Sequence, residues 1–286
     1  MKTRVPLLSA AVAAALAGAA SAGPIGINYV DIGDPGVQNG TADALLPTES
    51  AGAPGHAQVG WNNMGRWGAT VPLNDSTGAA TTATTTWDSS NTWNDGAGVG
   101  SPNAKLMNGY LDATGQPNDN SIPYGFFNNA NKPEVYISGL AAWLTAQGAA
   151  SYKVVVYTDG DNTSGRKGEY WLQSATGDPA LATVLGPDLT SHVFVSDMSN
   201  FSGTFTEVPL SANTLATAGE GNFLVFTGVR ADSFILRTEE YPSGVAGDAL
   251  RAQINGIQII AVVPEPATIG LLALAGFGLL SRRRRA

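Results

Sequence analysis

The stretch INGIQIIAVV, residues 254–263, decides the fold. Ile257, Ile259, Ala261 and Val263 alternate with Gln258, Ile260 and Val262, so both faces of an extended chain are largely apolar. Alternation of period two marks a strand, and apolar residues on both faces mark one covered on both sides, a central strand. Asn255-Gly256 ahead of it reads as a bulge or turn. This strand is the last before the chain's end, so whatever follows leaves directly from the folded body.

Working back from it, eight more runs carry β-branched and aromatic residues between Gly, Pro, Asn or Asp. They are 25–31, 80–87, 134–138, 152–158, 192–196, 201–208, 222–227 and 233–237. Nine candidate strands with almost no helix predict an all-β fold, an antiparallel jelly-roll β-sandwich. One short side helix is expected after Ser101-Pro102, an N-cap with proline in first position, with Leu106, Met107, Tyr110 and Leu111 at helical spacing. A second, weaker helical pattern runs over Leu140–Gln147, and GAATTATTTW (residues 78–87) reads as an edge or solvent-facing strand. No repeat of 20 to 50 residues is visible, which argues against a solenoid or propeller. The 43% hydrophobic content suffices for a core, and 35 glycines and 16 prolines supply turns. With no cysteine, burial, backbone ladders or bound ions must hold the fold in place of disulfides.

Both ends are of another kind. Lys2 and Arg4 precede an apolar stretch from Val5 to Ala17, and Ala20-Ser21-Ala22 offers the small residues signal peptidase accepts. Cleavage after Ala22 leaves Gly23 as the N-terminus. At the other end, Val263-Pro264-Glu265-Pro266 is followed by fourteen residues, Ala267 to Leu280, without a charge, and then by Arg282, Arg283, Arg284 and Arg285. As a helix those fourteen would rise about 21 Å against about 30 Å of hydrocarbon, short for a permanent span. The arginines hold their end on the cytoplasmic side, so the segment acts as a stop-transfer hook. The two prolines keep Glu265 in extended, accessible backbone suited to a processing enzyme. These three ordered features resemble the PEP-CTERM sorting signal of Gram-negative bacteria. The resemblance implies recognition of Pro-Glu-Pro by an exosortase and removal of the tail during export, in organisms that make exopolysaccharide. The chain thus divides into a signal peptide (1–22), a single β-sandwich domain (23–262) and a sorting signal (263–286), anchored transiently in the inner membrane by its C-terminal transmembrane helix and destined for the cell envelope, surface or extracellular matrix.

Residues 23–262 hold nine Lys and Arg against 22 Asp and Glu, a balance of −13. Such a domain repels nucleic acid and anionic membrane surface, and touches membrane only through its sorting helix. The two histidines, His56 and His192, sit in no nucleophile or zinc motif, and no Gly-x-Ser-x-Gly elbow occurs. No catalytic residue is assigned; a polysaccharide hydrolase or lyase would need an acid pair that sequence alone does not single out among 22 carboxylates. Asp159, Asp161 and Asn162 in DGDNTSGRKGE are closely spaced hard oxygens of the kind calcium takes, though EF-hand spacing fails, with Ser164 where glycine is required; a solvated turn is the alternative. A second acidic loop, Asp31 to Gly36, offers the same choice. Trp61, Trp67, Trp87 and Trp93 fall within 33 residues rich in Asn and Thr. Aromatic faces beside amides stack on sugar rings, which makes Trp61, Asn62, Trp67 and Trp93 glycan candidates; core filling is the alternative for each, with Trp67 and Trp93 the more exposed by their turn-rich surroundings.

The segments Gly60–Asn63, Leu106–Tyr110, Tyr152–Tyr157, Gly221–Phe226 and Arg251–Ile259 resemble, in this order, exported planctomycete and verrucomicrobial modules similar to galactose-binding-like jelly rolls, including malectin-type domains. That resemblance implies a fold and carries no function. The sequence leads to a non-catalytic, carbohydrate-associating component of an exopolysaccharide matrix. Its partners would be signal peptidase and exosortase in transit and extracellular polysaccharide afterwards; a self-associating structural surface protein is the rival reading.

Overall fold

The computed structural model describes residues 23–30, 42–89, 91–94, 98–112, 132–160, 165–177, 184–197, 199–241 and 252–263. In chain order the strands are β1 (Ile25–Tyr29), β2 (Asn62–Met64), β3 (Gly68–Asn74), β4 (Ala80–Asp88), β5 (Asn91–Asn94), β6 (Gly109–Asp112), β7 (Glu134–Ser138) and β8 (Tyr152–Tyr157). They continue as β9 (Lys167–Thr176), β10 (Val184–Asp188), β11 (Val193–Ser196), β12 (Gly219–Glu220), β13 (Phe223–Val229), β14 (Phe234–Tyr241) and β15 (Gly256–Ala261). Two short helices, α1 (Pro102–Asn108) and α2 (Leu140–Ala146), interrupt them.

One sheet of five strands has the order β13-β8-β15-β1-β2; a second, of eight, runs β12-β11-β9-β14-β7-β4-β3, with β10 beside β9. Strands β5 and β6 form a separate pair. The sheets face one another across a core that takes alternate residues from each. Ile25, Ile27, Val154, Val156, Leu224, Phe226, Ile257 and Ile259 come from the first, and Trp87, Val135, Ile137, Tyr170, Leu172, Phe234 and Leu236 from the second. The other face of the five-stranded sheet is covered too: Val155, Tyr157, Phe223 and Val225 meet Leu45, Trp61, Leu106, Met107 and Phe201. This double cover is why β8 and β15 read as apolar on both faces.

Strand β15 is paired along both edges, with β8 from Tyr157 to Tyr152 and with β1 from Asn28 to Ile25. Its one polar side chain, Gln258, is fully buried and is bonded throughout. Its Nε2 donates to the His56 carbonyl and to Gln58 Oε1, both at 2.6 Å, and its Oε1 accepts from the Tyr157 hydroxyl at 3.1 Å. A buried amide so satisfied fixes the outer loop on the sheet instead of destabilising it. Asn255-Gly256 is neither bulge nor turn: Gly256 opens the strand opposite Asn28 and Tyr157. A Cβ there would come within 2.8 Å of the Ile27 carbonyl and 2.9 Å of Leu106, so the glycine is a matter of close approach.

Three other expectations are corrected. Helix α1 has its Ser101 cap, which accepts from the Ala104 amide, but ends at Asn108. Tyr110 and Leu111 belong to β6, where Leu111 also bridges to Ile254. The threonine-rich β4 lies between β3 and β7 and is no edge, though its first half does face solvent, with Ala80 and Thr82 exposed; its threonines also bond to the neighbouring strands, as in Thr84 Oγ1 to Ser138 Oγ at 3.0 Å. Residues 201–208 form no strand beyond a bridge at Glu207, because Phe201 and Phe205 turn inward in an irregular segment and pack against each other and against Phe223. The weaker helical pattern after Gly139 is a true helix, α2, which sends Leu140, Trp143 and Leu144 into the core.

The sheet edges are blunted. Edge strand β3 carries Pro72, two register shifts and Thr70 at φ 51, while β12 is two residues long and β13 shifts register between Phe226 and Val229. Such features oppose strand addition by a second chain. Among the described residues no helix is long and apolar enough to cross a membrane; the expected sorting helix lies outside them.

If β15 closes the core as described, Ile259→Ala will lower unfolding stability by about 2–5 kcal/mol, read from the urea midpoint at unchanged slope.

Candidate functional site

The tryptophans separate by environment. Trp87 is wholly buried, its Nε1 donating to the Gly65 carbonyl at 2.8 Å. Trp61 is buried edge-on against Tyr157, with its Nε1 on the Gln58 carbonyl at 3.1 Å. Asn62 spends its amide on structure: Nδ2 reaches the carbonyls of Gly26 at 2.8 Å and Asn74 at 2.9 Å, and Oδ1 accepts from the Asn74 amide at 3.0 Å. It ties β1, β2 and β3 together. Trp67 is half-buried, and Trp93, on β5, is 38% exposed. Its neighbour Asn94 is exposed as well. A cleft of about 280 Å³ lies between the edge strands of the two sheets, lined by Trp61, Asn62, Met64, Pro72 and Asn74 among others. That falls just under the ~300–1,000 Å³ usual for small-molecule sites.

Of the calcium candidates, Asp159 is fully buried at the end of β8. Its Oδ2 accepts from the Phe201 amide and its own amide donates to Asn255 Oδ1, each at 2.7 Å. Asp161, Asn162 and the loop Asp31 to Gly36 lie outside the described residues. Among those described, no three His, Asp or Glu side chains converge as metal ligands.

Beneath Asp159 runs a buried polar chain that sequence reasoning missed. Thr158 Oγ1 and the Tyr170 hydroxyl are 2.7 Å apart, Tyr170 donates to the Gln253 carbonyl at 2.8 Å, and Gln253 Nε2 donates to Asp197 Oδ2 at 2.8 Å. Burial drives the Tyr170 phenol well above the ordinary range, so it acts as a neutral hydroxyl.

On the outer face of the eight-stranded sheet a second group forms around His192. Its ring lies 4.5 Å from that of Trp171, nearly parallel at 8°. Nδ1 meets Glu169 Oε1 at 2.5 Å and Nε2 meets Asp188 Oδ2 at 3.2 Å. The Tyr241 hydroxyl donates to Glu169 Oε2 at 2.7 Å, a bond which, with burial, pushes its pKa up to about 12. Arg237 stands 5.6 Å from the Trp171 ring centre and pairs with Glu134 at 2.7 Å. Desolvation lowers the His192 pKa, but the bonds with Glu169 and Asp188 outweigh it and hold the imidazole above the usual histidine range. At His56 the balance is reversed: burial, then the charge of Lys153, depress it. The His192 group draws on β9, β10, β14 and the loop before β11, and its members satisfy one another, which makes it a clamp across strands.

At the chain's end, the Val262 amide makes a last ladder bond to the Ser151 carbonyl at 2.8 Å, and Val263 is 47% exposed. Ala20, Ala22, Pro264, Glu265, Pro266 and Arg282 to Arg285 lie outside the described residues; Gly23 and Val263 lie within them. Residues 262–285 match the PEP-CTERM protein-sorting motif. The motif marks the chain for exosortase-mediated processing and for export to the cell envelope or surface of a Gram-negative bacterium. No curated protein and no solved structure matches the chain.

A raised histidine pKa gives stability that is full below about pH 6.5 and is lost as pH climbs through the folded-state value. Titration of the His192 ring by NMR will accordingly give a pKa above about 6.5, and Glu169→Gln or Asp188→Asn will bring it down.

Proposed function

We propose that the processed domain is a non-catalytic, carbohydrate-associating component of an extracellular polysaccharide matrix. The observation that carries this reading is Trp93: in a protein that buries Trp61, Trp87 and Trp143, this indole stands 38% exposed on β5. Partly exposed indole faces favour stacking on sugar rings, with nearby amides available to hydroxyls. The glycan set therefore narrows from Trp61, Asn62, Trp67 and Trp93 to Trp93, with the half-buried Trp67 second. Two packed, largely antiparallel sheets support the galactose-binding-like jelly-roll reading, from which the parallel pairs β1–β2 and β11–β12 depart, and the sorting motif accords with delivery to a polysaccharide-rich surface. Calcium at Asp159, Asp161 and Asn162 belongs to the proposal as a stabiliser of the loop after β8, since the sequence sets three oxygen-bearing side chains within four residues there.

The rival, a structural protein that self-associates, gains least from the blunted edges of β3, β12 and β13. The enzyme reading would need an acid pair acting across a glycosidic bond.

The test is binding of the processed protein to the producer's own polysaccharide, with calcium and with a chelator. Saturable binding weakened at least about tenfold by Trp93→Ala, with the melting temperature unchanged, is the expected result; tenfold corresponds to about 1.4 kcal/mol, within the range of one stacked aromatic. Concentration-dependent assembly without glycan binding would favour the structural rival, and release of oligosaccharide would favour the enzyme.

A further inference from the structure

At the start of the described chain, Gly23 is boxed in by the turn between β3 and β4. Its backbone nitrogen donates to Asp75 Oδ2 at 3.1 Å. The other oxygen, Oδ1, is already engaged, by the Thr77 amide at 2.8 Å, the Thr77 hydroxyl at 2.6 Å and the Ala79 amide at 3.1 Å. The next residue is held as well, with the Ser76 amide on the Pro24 carbonyl at 2.8 Å. Gln147, just past α2, reaches the Gly23 carbonyl at 3.5 Å. A Cβ on residue 23 would fall 1.9 Å from Ser76 Oγ and 3.2 Å from the Ser76 nitrogen. A larger residue at 23 would have to turn the Ser76 hydroxyl away and press on the Ser76 backbone. Asp75 itself is 1% exposed.

Gly23 is also the residue that the Ala20-Ser21-Ala22 pattern leaves at the N-terminus. We propose that Asp75 is a receptor for the α-ammonium group of Gly23 and that signal-peptide removal completes an internal ion pair. Water adds across the Ala22–Gly23 bond, leaving a carboxylate on Ala22 and an ammonium on Gly23. The nitrogen that was a neutral amide donor to Asp75 thereby becomes a cation in the same place. Charge-assisted hydrogen bonds are shorter and about twice as strong as neutral ones. The carboxylate is suited to the role: burial works against its charge, but its bonds to Thr77, Gly23 and Ala79 outweigh burial and hold its pKa below the ordinary aspartate value. The groups bonded to the Asp75 carboxylate, from Thr77, Ala79 and Gly23, are uncharged before cleavage, so the new ammonium is its counter-ion.

The structural consequence falls on β1. Chain ends ordinarily fray, yet β1 lies between β15 and β2 and cannot fray without opening the five-stranded sheet. Pinning residue 23 to the β3–β4 turn, in the opposite sheet, closes that end of the sandwich. Maturation then raises the stability of the domain it releases.

The experiment compares the processed protein carrying a free Gly23 amine with the same protein acetylated selectively at that amine, which keeps the N–H donor and removes the charge. At pH 6.5 the acetylated form is expected to melt about 2–4 °C lower. The α-amine is expected to titrate above the usual ~7.7–8.0. A raised amine pKa contributes fully below about pH 8 and is lost as pH rises through the folded-state value, so the two forms should converge in melting temperature at high pH. In Asp75→Asn, acetylation should make no further difference. Equal melting of the free and acetylated forms at pH 6.5, with an amine titrating at its unfolded value, would overturn the proposal. So would an acetylation effect that survives in Asp75→Asn.

Discussion

The structure depends on one arrangement: the last strand of the chain, β15, is hydrogen-bonded on both edges and covered on both faces. Without it β8 and β1 have no common neighbour, and the five-stranded sheet falls into two fragments of two strands each. Ile257 and Ile259 fill the space between the sheets, while Gln258 anchors the loop carrying His56 and Gln58 on the outside. Loops, α1 and Phe201 then cover the outer face because a sheet with two apolar faces must bury both. The pairing is also non-local in the extreme, since Ile25 opposes Ile259. The sheet cannot close until the end of the folded body has been supplied.

This arrangement ties fold to destination. The sorting motif begins at residue 262, one residue beyond β15. The last ladder bond, from Val262, therefore sits two residues before Pro264. A processing enzyme acting on Pro264-Glu265-Pro266 works against the end of a finished sheet, and a cut further back would remove residues that hold the sandwich together. At the other end the first tethered residue, Gly23, coincides with the expected signal-peptidase product. In the sequence, the folded body runs directly into the sorting motif at one end and into the expected signal peptide at the other.

What the sequence disclosed, and what it hid, follows from the range of the interactions. β15 and β8 were readable because double burial writes apolar residues on both faces of one short segment. The start of α1 was readable because Ser101-Pro102 is a local signal, whereas its end was not: Leu106, Met107, Tyr110 and Leu111 keep helical spacing although the chain turns into β6 after Asn108. β9 is hard to read because outward-facing Glu169, Trp171 and Gln173 alternate with inward-facing Tyr170 and Leu172, giving a pattern with little net hydrophobicity. The threonines of β4 suggested an edge because composition does not reveal that β3 and β7 flank it. Of the candidate site residues, Trp61 and Asn62 stand out by type, and only tertiary contacts with Tyr157, Gly26 and Asn74 show how far both are engaged in holding the fold. The clamp of His192, Glu169, Asp188, Trp171 and Tyr241 was beyond reach for the same reason, since its members come from separate strands that no local spacing connects.

The most direct test of this account is the intact mass of the protein recovered from outside its producing cell. The expected chain starts at Gly23 and ends at or after Val263, before the apolar run that begins at Ala267. A chain ending within residues 256–261, or one that keeps the run and its terminal arginines, would contradict it.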